Sequence, residues 1–388
     1  MTSMEVTNED EEDIVLAHKY RLNLKSAPRQ SSFRVVAIIF YELGGSNERL
    51  HVAGTNDEPC YINGSICAER AALVQMRFLP VQRITKVVIT TDAAHPIFPG
   101  MLCREFMSSH LLIDPETVAI VTSGSLCRRS DCHLNIGKDG RDQHLEALES
   151  PCCDGKNKYH NWEVVKTLLP KLYPHASPYT RLSSSESIQL GAQLKKSEVF
   201  YDEESMLHVS AEEILRLVGK ATDAARIGDD RSELHPIQYG AAILFEDGSV
   251  ETAYQRKTLE YGCSLDAVTQ LAVNMEKKAR THAEVDSQGK SYSDESSGER
   301  DKIPSITPKV LVQTDQYGVI HAPFASARAF LSEFGYGNCG VLIQKVIASC
   351  SAVEANAEQD HSPSTQIAYM KVQDIAPNAP DMGSLWIS

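Results

Sequence analysis

The sequence predicts an α/β protein built from two copies of one unit, and three observations carry that expectation. Apolar residues alternate between the short period of strands and the three-to-four-residue period of helices. The order in which these segments follow one another in the first half returns in the second. A chain of 388 residues, 42% of them hydrophobic, has the length and the apolar side chains for two domains of ordinary size.

The elements run as follows. "EEDIVLAHKYRLNL" predicts a helix after an acidic cap region. "SSFRVVAIIFYE" and "ERLHVAGTN" predict two strands separated by a Gly/Ser/Asn turn. "SICAERAALVQMRFL" has helical spacing, with Ser65 a candidate N-cap. "ITKVVITTD" predicts a buried strand, "GMLCREFMSSHL" a helix and "ETVAIVTS" a further strand. In the second half "SAEEILRLVGKATDAAR" predicts a helix, "IQYGAAILFED" and "SVETAYQ" paired strands, and "LDAVTQLAVNMEKKA" a helix. "PKVLVQTD" predicts a strand and "FASARAFLSEFG" a helix.

Setting Cys67–Met76 against Asp266–Met275 aligns Ala68 with Ala267, Val74 with Val273 and Met76 with Met275. "TTD" at Thr90–Asp92 answers "QTD" at Gln313–Asp315, "FPGMLCREFM" answers "APFASARAFL", and the closing helix expected at "KTLLPKL" answers "VQDIAPN". Order, spacing and anchors together predict an internal duplication. The expected domains are 8–173, with a polar, Cys-rich insertion over 125–161, and 206–388, with a disordered insertion over 281–303. A Ser-rich linker over 174–205 joins them.

Composition narrows the function classes. The net charge of −14 disfavours nonspecific attraction to nucleic acid or to an anionic membrane. No apolar run approaches the 18 or so residues of a membrane span. The acidic start "MTSMEVTNEDEEDIV" is unlike a secretory or mitochondrial leader. Ten cysteines in such a chain predict reduced thiols and a cytoplasmic location, with cysteine available for metal binding or burial.

The chemistry concentrates in one constellation. Cys67-Ala68-Glu69-Arg70 opens a predicted helix, where the positive end of the helix dipole favours a thiolate. Cys103 falls in the first turn of the next helix, so two helix N-termini could converge on one cation. Alone, Cys-Ala-Glu is a common chance pattern whose ordinary meaning is a buried cysteine and a surface glutamate. Joined to Asn56 and Glu58 upstream and to Cys-Arg-Glu after the next strand, it gains specificity.

"NDEPCYINGSICAERAAL" followed by "FPGMLCRE" resembles the zinc-dependent cytidine deaminases, in the double-length form with a degenerate second domain. The resemblance implies two three-layer α/β/α units, each around a mixed sheet of about five strands. It implies that Cys67 and Cys103 are zinc ligands, that Glu69 is the catalytic acid/base, and that Arg70 balances the thiolate charge. Asn56 and Glu58 would hold the sugar hydroxyls, and Phe33, in "FRVVA", would line the nucleoside pocket. The implied reaction is hydrolytic deamination of cytidine or deoxycytidine at C4 by a zinc-activated water, as in pyrimidine salvage. The implied assembly is a homodimer acting on a small nucleoside.

The sequence departs from the motif at Gly100, where a second clip cysteine would stand. His95, in the same loop, is the nearest candidate surrogate. Cys60 and the cluster of Cys127, Cys132, His133, Cys152 and Cys153 are others. In the second copy Asp266, Val268, Phe324 and Ala327 occupy the Cys67, Glu69, Gly100 and Cys103 positions, and Gln255 and Lys257 replace Asn56 and Glu58, so that half reads as structural. "HAE" at His282–Glu284 spells an alternative ligand motif with no cysteine pair after it. The competing function is a catalytically inactive protein of the same fold that binds nucleosides or acts as a regulatory or structural partner.

Overall fold

In the computed structural model the described residues are 4–44, 48–124, 162–202, 209–228, 231–275, 307–347 and 364–379. The insertions expected over 125–161 and 281–303, the cysteine and histidine residues of the first insertion, and His282–Glu284 lie outside them. The chain divides into two compact units, one of Met1–Tyr173 with Asn378–Ser388, the other Pro174–Pro377. Each is a mixed α/β layer structure with helices on both faces of its sheet.

The first unit begins with α1 (Asn8–Leu22), whose N-terminus is fixed by a capping box: the Thr7 hydroxyl accepts from the Asp10 N–H, and the Asp10 side chain accepts from the Thr7 N–H. Then come β1 (Val35–Leu43), β2 (Leu50–Thr55), α2 (Ala68–Gln75), β3 (Val81–Thr91), α3 (Met101–Ser109), β4 (Ile113–Thr122) and β5 (Val164–Leu168). The sheet order is β2-β1-β3-β4-β5, with β3 and β4 parallel and the other neighbours antiparallel.

Strand β1 shows why three layers form. Its side chains alternate, so Ala37, Ile39 and Tyr41 pack with Ala68, Ala72 and Leu73 of α2 and Cys103 and Met107 of α3. Val36, Ile38 and Phe40 pack with Ile14 and Ala17 of α1 on the other face. Both sets are almost wholly buried, and each Ile or Leu contributes about 1.5–3 kcal/mol by leaving water. Gly54 sets the depth of α2 on the sheet: a Cβ there would lie 2.4 Å from the Ala68 carbonyl oxygen and 2.5 Å from the Ala72 nitrogen.

The second unit holds α4 (Ser184–Leu194), β6 (Val199–Tyr201), α5 (Ala211–Ile227), β7 (Tyr239–Phe245) and β8 (Val250–Tyr254). A helix over 267–275, α6, follows, then β9 (Pro308–Asp315), β10 (Ile320–His321), α7 (Ala325–Glu333), β11 (Gly340–Ile347) and β12 (Ser364–Lys371). Its sheet runs β6-β12-β11-β9-β7-β8, with β10 paired to β9. Ala241, Ile243 and Phe245 of β7 face α6 and α7, while Ala242 and Leu244 face Ile214, Leu217 and Ala221 of α5.

Three expectations need correction. The stretch 174–205, read as a linker, carries α4 with its own capping box, Ser183 to Glu186, and β6 pairs in parallel with β12. Serine is a preferred cap, so a serine-rich run starts this helix. The closing helix expected at "KTLLPKL" is the end of β5 followed by a short 3₁₀ turn, Leu169–Leu172, with Pro170 in its first turn. The second sheet has seven strands rather than about five, because β6 and β10 join the repeated set.

Backbone register tests the duplication residue by residue. The N–H of Asn56 donates to the Val35 carbonyl and that of Gln255 to the Tyr239 carbonyl. Isolated antiparallel bridges join Asp57 to Ile66 and Arg256 to Leu265. Cys67 therefore corresponds to Asp266 and Glu69 to Val268, as the sequence alignment has them. The β3 and β9 pairings move one anchor: Val35 faces Thr91 whereas Tyr239 faces Asp315, so Asp92 corresponds to Gln316 and not to Asp315. Asp92 and Gln316 accept the equivalent N–H groups of Arg34 and Gln238, at 2.9 and 2.8 Å.

Candidate metal centre

Cys67 is the N-cap residue of α2, extended at φ −82° and ψ 154°, and its side chain makes no capping hydrogen bond. The sulfur is thereby left at the helix mouth. Gly100 is the N-cap of α3, placing Cys103 in that helix's first turn. A sulfur of Cys67, a sulfur of Cys103 and a carboxylate oxygen of Glu69 all lie within 4.8 Å of one another. Cys103 is fully buried and Glu69 is 3% exposed.

The electrostatics follow from this crowding. The hydrogen bond with Cys103 is the main reason the Cys67 thiol is shifted down; burial and the Glu69 charge oppose it, and Arg70 adds to it. Its hydrogen bond to Cys67, and then burial, push the Cys103 thiol up. Of the two sulfurs, Cys67 is the one whose surroundings favour the thiolate. Arg70 stands beside that sulfur, its Nη2 donating to Cys67 Sγ at 3.7 Å and to the Ser65 carbonyl at 3.2 Å. Burial raises the Glu69 carboxyl, against its own backbone N–H, Cys103, Arg70 and Arg104.

Phe33, Asn56 and Glu58 form a second group. Asn56 Oδ1 accepts from the Val35 N–H at 2.9 Å, and Nδ2 donates to the Phe33 carbonyl at 2.9 Å and to Glu58 Oε1 at 3.3 Å. Glu58 accepts from the Ser31 N–H and hydroxyl, both at 2.8 Å. The two groups adjoin, because Asp57, between Asn56 and Glu58, is bridged to Ile66, next to Cys67, by N–H···O bonds of 3.0 Å in each direction. Facing Cα atoms in such a doubly hydrogen-bonded pair lie about 5.5 Å apart.

The structure brings together Cys67, Glu69, Cys103 and Arg70, and separately Phe33, Asn56 and Glu58. Neither His95 nor Cys60 belongs to the donor cluster among the described residues. His95 is half-buried, and its Nε2 is buried without a hydrogen-bond partner. At Gly100 a Cβ would meet nothing within 4 Å, and φ is −62°, so neither space nor backbone demands glycine.

The donors suit a zinc ion. Two thiolates 2.3 Å from a shared tetrahedral zinc sit roughly 3.8 Å apart, inside the 4.8 Å that encloses the three donor atoms. Soft sulfur with a carboxylate oxygen is zinc-type chemistry.

Arg104 has a role that the motif does not signal. It is 1% exposed; its Nε donates to the Pro99 carbonyl at 2.6 Å and its Nη1 to the Leu172 carbonyl at 3.1 Å, which holds the turn just before Gly100. Arg328 does the same in the second unit, donating from Nε to the Pro323 carbonyl at 2.7 Å. The alignment of Cys103-Arg104 with Ala327-Arg328 carried that signal: an arginine kept where both cysteine positions are lost.

No family model matches the chain, and no curated protein matches it. Among solved structures, a cytidine deaminase from Burkholderia pseudomallei is similar at 19% identity, covering 42% of this chain and 97% of its own, with a TM-score of 0.29. A cytidine deaminase from Mycobacterium tuberculosis is similar at 19% identity, covering 43% of this chain and 96% of its own, with a TM-score of 0.27. Both matches span less than half of this chain.

Proposed function

We propose that the first unit is a zinc-dependent hydrolytic deaminase of a cytosine nucleoside. The observation that carries this reading is the convergence of Cys67, Glu69 and Cys103 at two helix N-termini, next to the Asn56–Glu58 pair. Cys67 and Cys103 would hold the ion, which when bound would supply Lewis acidity that lowers the pKa of water. Arg70 offsets the added thiolate charge. Glu69, buried and with its carboxyl raised by that burial, takes one proton from the attacking water and passes it to the ring nitrogen, then takes the second from the new C4 hydroxyl and passes it to the departing amine. Water adds at C4 and ammonia leaves, giving the uracil nucleoside. Asn56 and Glu58 hold the sugar hydroxyls once Glu58 exchanges Ser31 for substrate, and the Phe33 ring covers the nucleoside.

Gly100 favours a second reading, nucleoside binding without turnover, because it removes one sulfur from the clip. Incubating the full chain with cytidine and assaying uridine and ammonia distinguishes the two. Stoichiometric release of both, lost in Cys103→Ala, supports the deaminase. Cytidine binding by calorimetry with no product supports the second.

A further inference from the structure

A chain of three side chains outside the candidate centre has the arrangement of a base-activated nucleophile. Ser177 Oγ lies 3.1 Å from His321 Nδ1, and His321 Nε2 lies 3.2 Å from Asp315 Oδ2. All three belong to the second unit. His321 and Asp315 are buried, while Ser177 is half-buried.

The hydrogen-bond inventory fixes the roles. Asp315 Oδ1 accepts from the N–H groups of Tyr317 and Val319, at 2.8 and 3.0 Å, and Oδ2 accepts from the Tyr179 hydroxyl at 2.6 Å. Burial and the Asp315 charge push the Tyr179 hydroxyl up, so it stays a donor. With every other neighbour donating to the carboxylate, the arrangement suits an Nε2–H of His321 donating to Asp315 and an Nδ1 accepting from the Ser177 hydroxyl. Tyr179 and Tyr239, with ring centroids 5.1 and 5.3 Å from the His321 ring, pack around it. The duplication does not supply this chain: His321 stands two residues before Pro323, and the residue two before Pro99 is Ile97.

We infer that Ser177, His321 and Asp315 form a nucleophile–base–orienter triad that transfers small acyl or phosphonyl groups from good leaving groups. With an ester, Ser177 Oγ bonds to the carbonyl carbon, its proton passes to His321 Nδ1, and the carbon–oxygen bond to the leaving group breaks as that proton follows it. Water, deprotonated by the same nitrogen, then releases the acid and restores Ser177. The aromatic surroundings select uncharged, preferably aromatic groups. This site is independent of the deaminase reading.

The test is labelling of the full chain with a fluorophosphonate probe, in which the Oγ–P bond forms and fluoride leaves with the serine proton. Intact mass and peptide mapping should show one adduct on Ser177, absent in Ser177→Ala. In His321→Gln the labelling rate should fall about 10²–10⁴-fold, the usual contribution of a general base. Circular dichroism reports whether each variant folds. If His321→Gln does not, wild type against Ser177→Ala, with urea-denatured wild type as the baseline, decides alone. No adduct on Ser177 above that baseline, or equal labelling of a folded His321→Gln, overturns the proposal and leaves the three residues as a hydrogen-bonded clamp.

Discussion

The same helix mouth is built twice and used differently. In the second unit the Asp266 carboxylate accepts from the Thr269 N–H at 2.9 Å and from the hydroxyls of Thr269 and Ser326, capping α6 and tying it to α7. In the first unit Cys67 occupies that position and caps nothing. Its sulfur faces Cys103 and Glu69 where the second unit has Ala327 and Val268, both buried in an apolar core. One copy uses the position to stabilise a helix, worth about 1 kcal/mol; the other leaves the helix uncapped and gains a donor. The Asn56–Glu58 position differs similarly: the Lys257 ammonium donates to the His235 carbonyl, whereas Asn56 and Glu58 hold the backbone of residues 31–35 through their side-chain polar groups.

If the difference is chemical, removing the proton carrier should have the largest effect. Glu69→Gln is expected to lower turnover by at least about 10²–10⁴-fold while zinc content and the melting curve stay close to wild type. Unchanged turnover would remove Glu69 from the mechanism. Next comes Gly100→Cys, which adds the third sulfur at a position with open space. Chelator competition should show zinc held more tightly by at least the roughly 10–100-fold by which outer-shell partners alter metal affinity. No gain would mean that Glu69 or another group already completes the set.

A third contrast concerns acid. His18 in α1 is fully buried, stacked on Trp162 at 4.0 Å and bonded to Thr90 and Thr122, whereas Thr222 in α5 bonds to Thr314 at the corresponding place. Burial, then the Arg21 charge, lowers the His18 pKa to about 3. The unfolded chain takes up a proton near 6.5 that the folded chain refuses, so stability is full above that pH and is lost as pH falls toward 3. The slope is roughly 1.4 kcal/mol per pH unit. Urea melts at pH 7 and pH 5 should therefore differ by about 2 kcal/mol in the first unit, followed by Trp162 fluorescence. The second unit has its own acid-sensitive group, His175, lowered to about 4 by burial. The decisive comparison is thus with His18→Gln, which should lose the first-unit slope. The smallest effect is expected from Asp266→Ala, which should destabilise the second unit by about 1 kcal/mol without changing turnover; a turnover loss would show that the capped copy takes part in the chemistry.

Much of this was legible in the sequence because the site residues sit at helix starts and strand ends, where local pattern is strongest. Cys67, Glu69 and Cys103 lie at such positions, and so do Asn56 and Glu58. What escaped depends on long-range partners. Strand β5 follows 41 residues after β4 and pairs with it across that gap, so nothing local distinguishes "VVKTL" from a helix start. The "TTD" and "QTD" match failed by one residue because identity of letters does not specify a backbone register. Ser31 escaped because only the fold brings it against Glu58, and the Ser177–His321–Asp315 chain joins residues up to 144 positions apart.

A working metal at the first helix mouth would stay with the protein through purification. Its most direct test is zinc per chain on protein purified without added metal, with the same sample assayed for cytidine-to-uridine conversion. One zinc and measurable turnover are expected, both lost together when Cys67 and Cys103 are replaced by alanine. Folded protein that retains no zinc and makes no uridine after zinc is supplied would rule such a metal out.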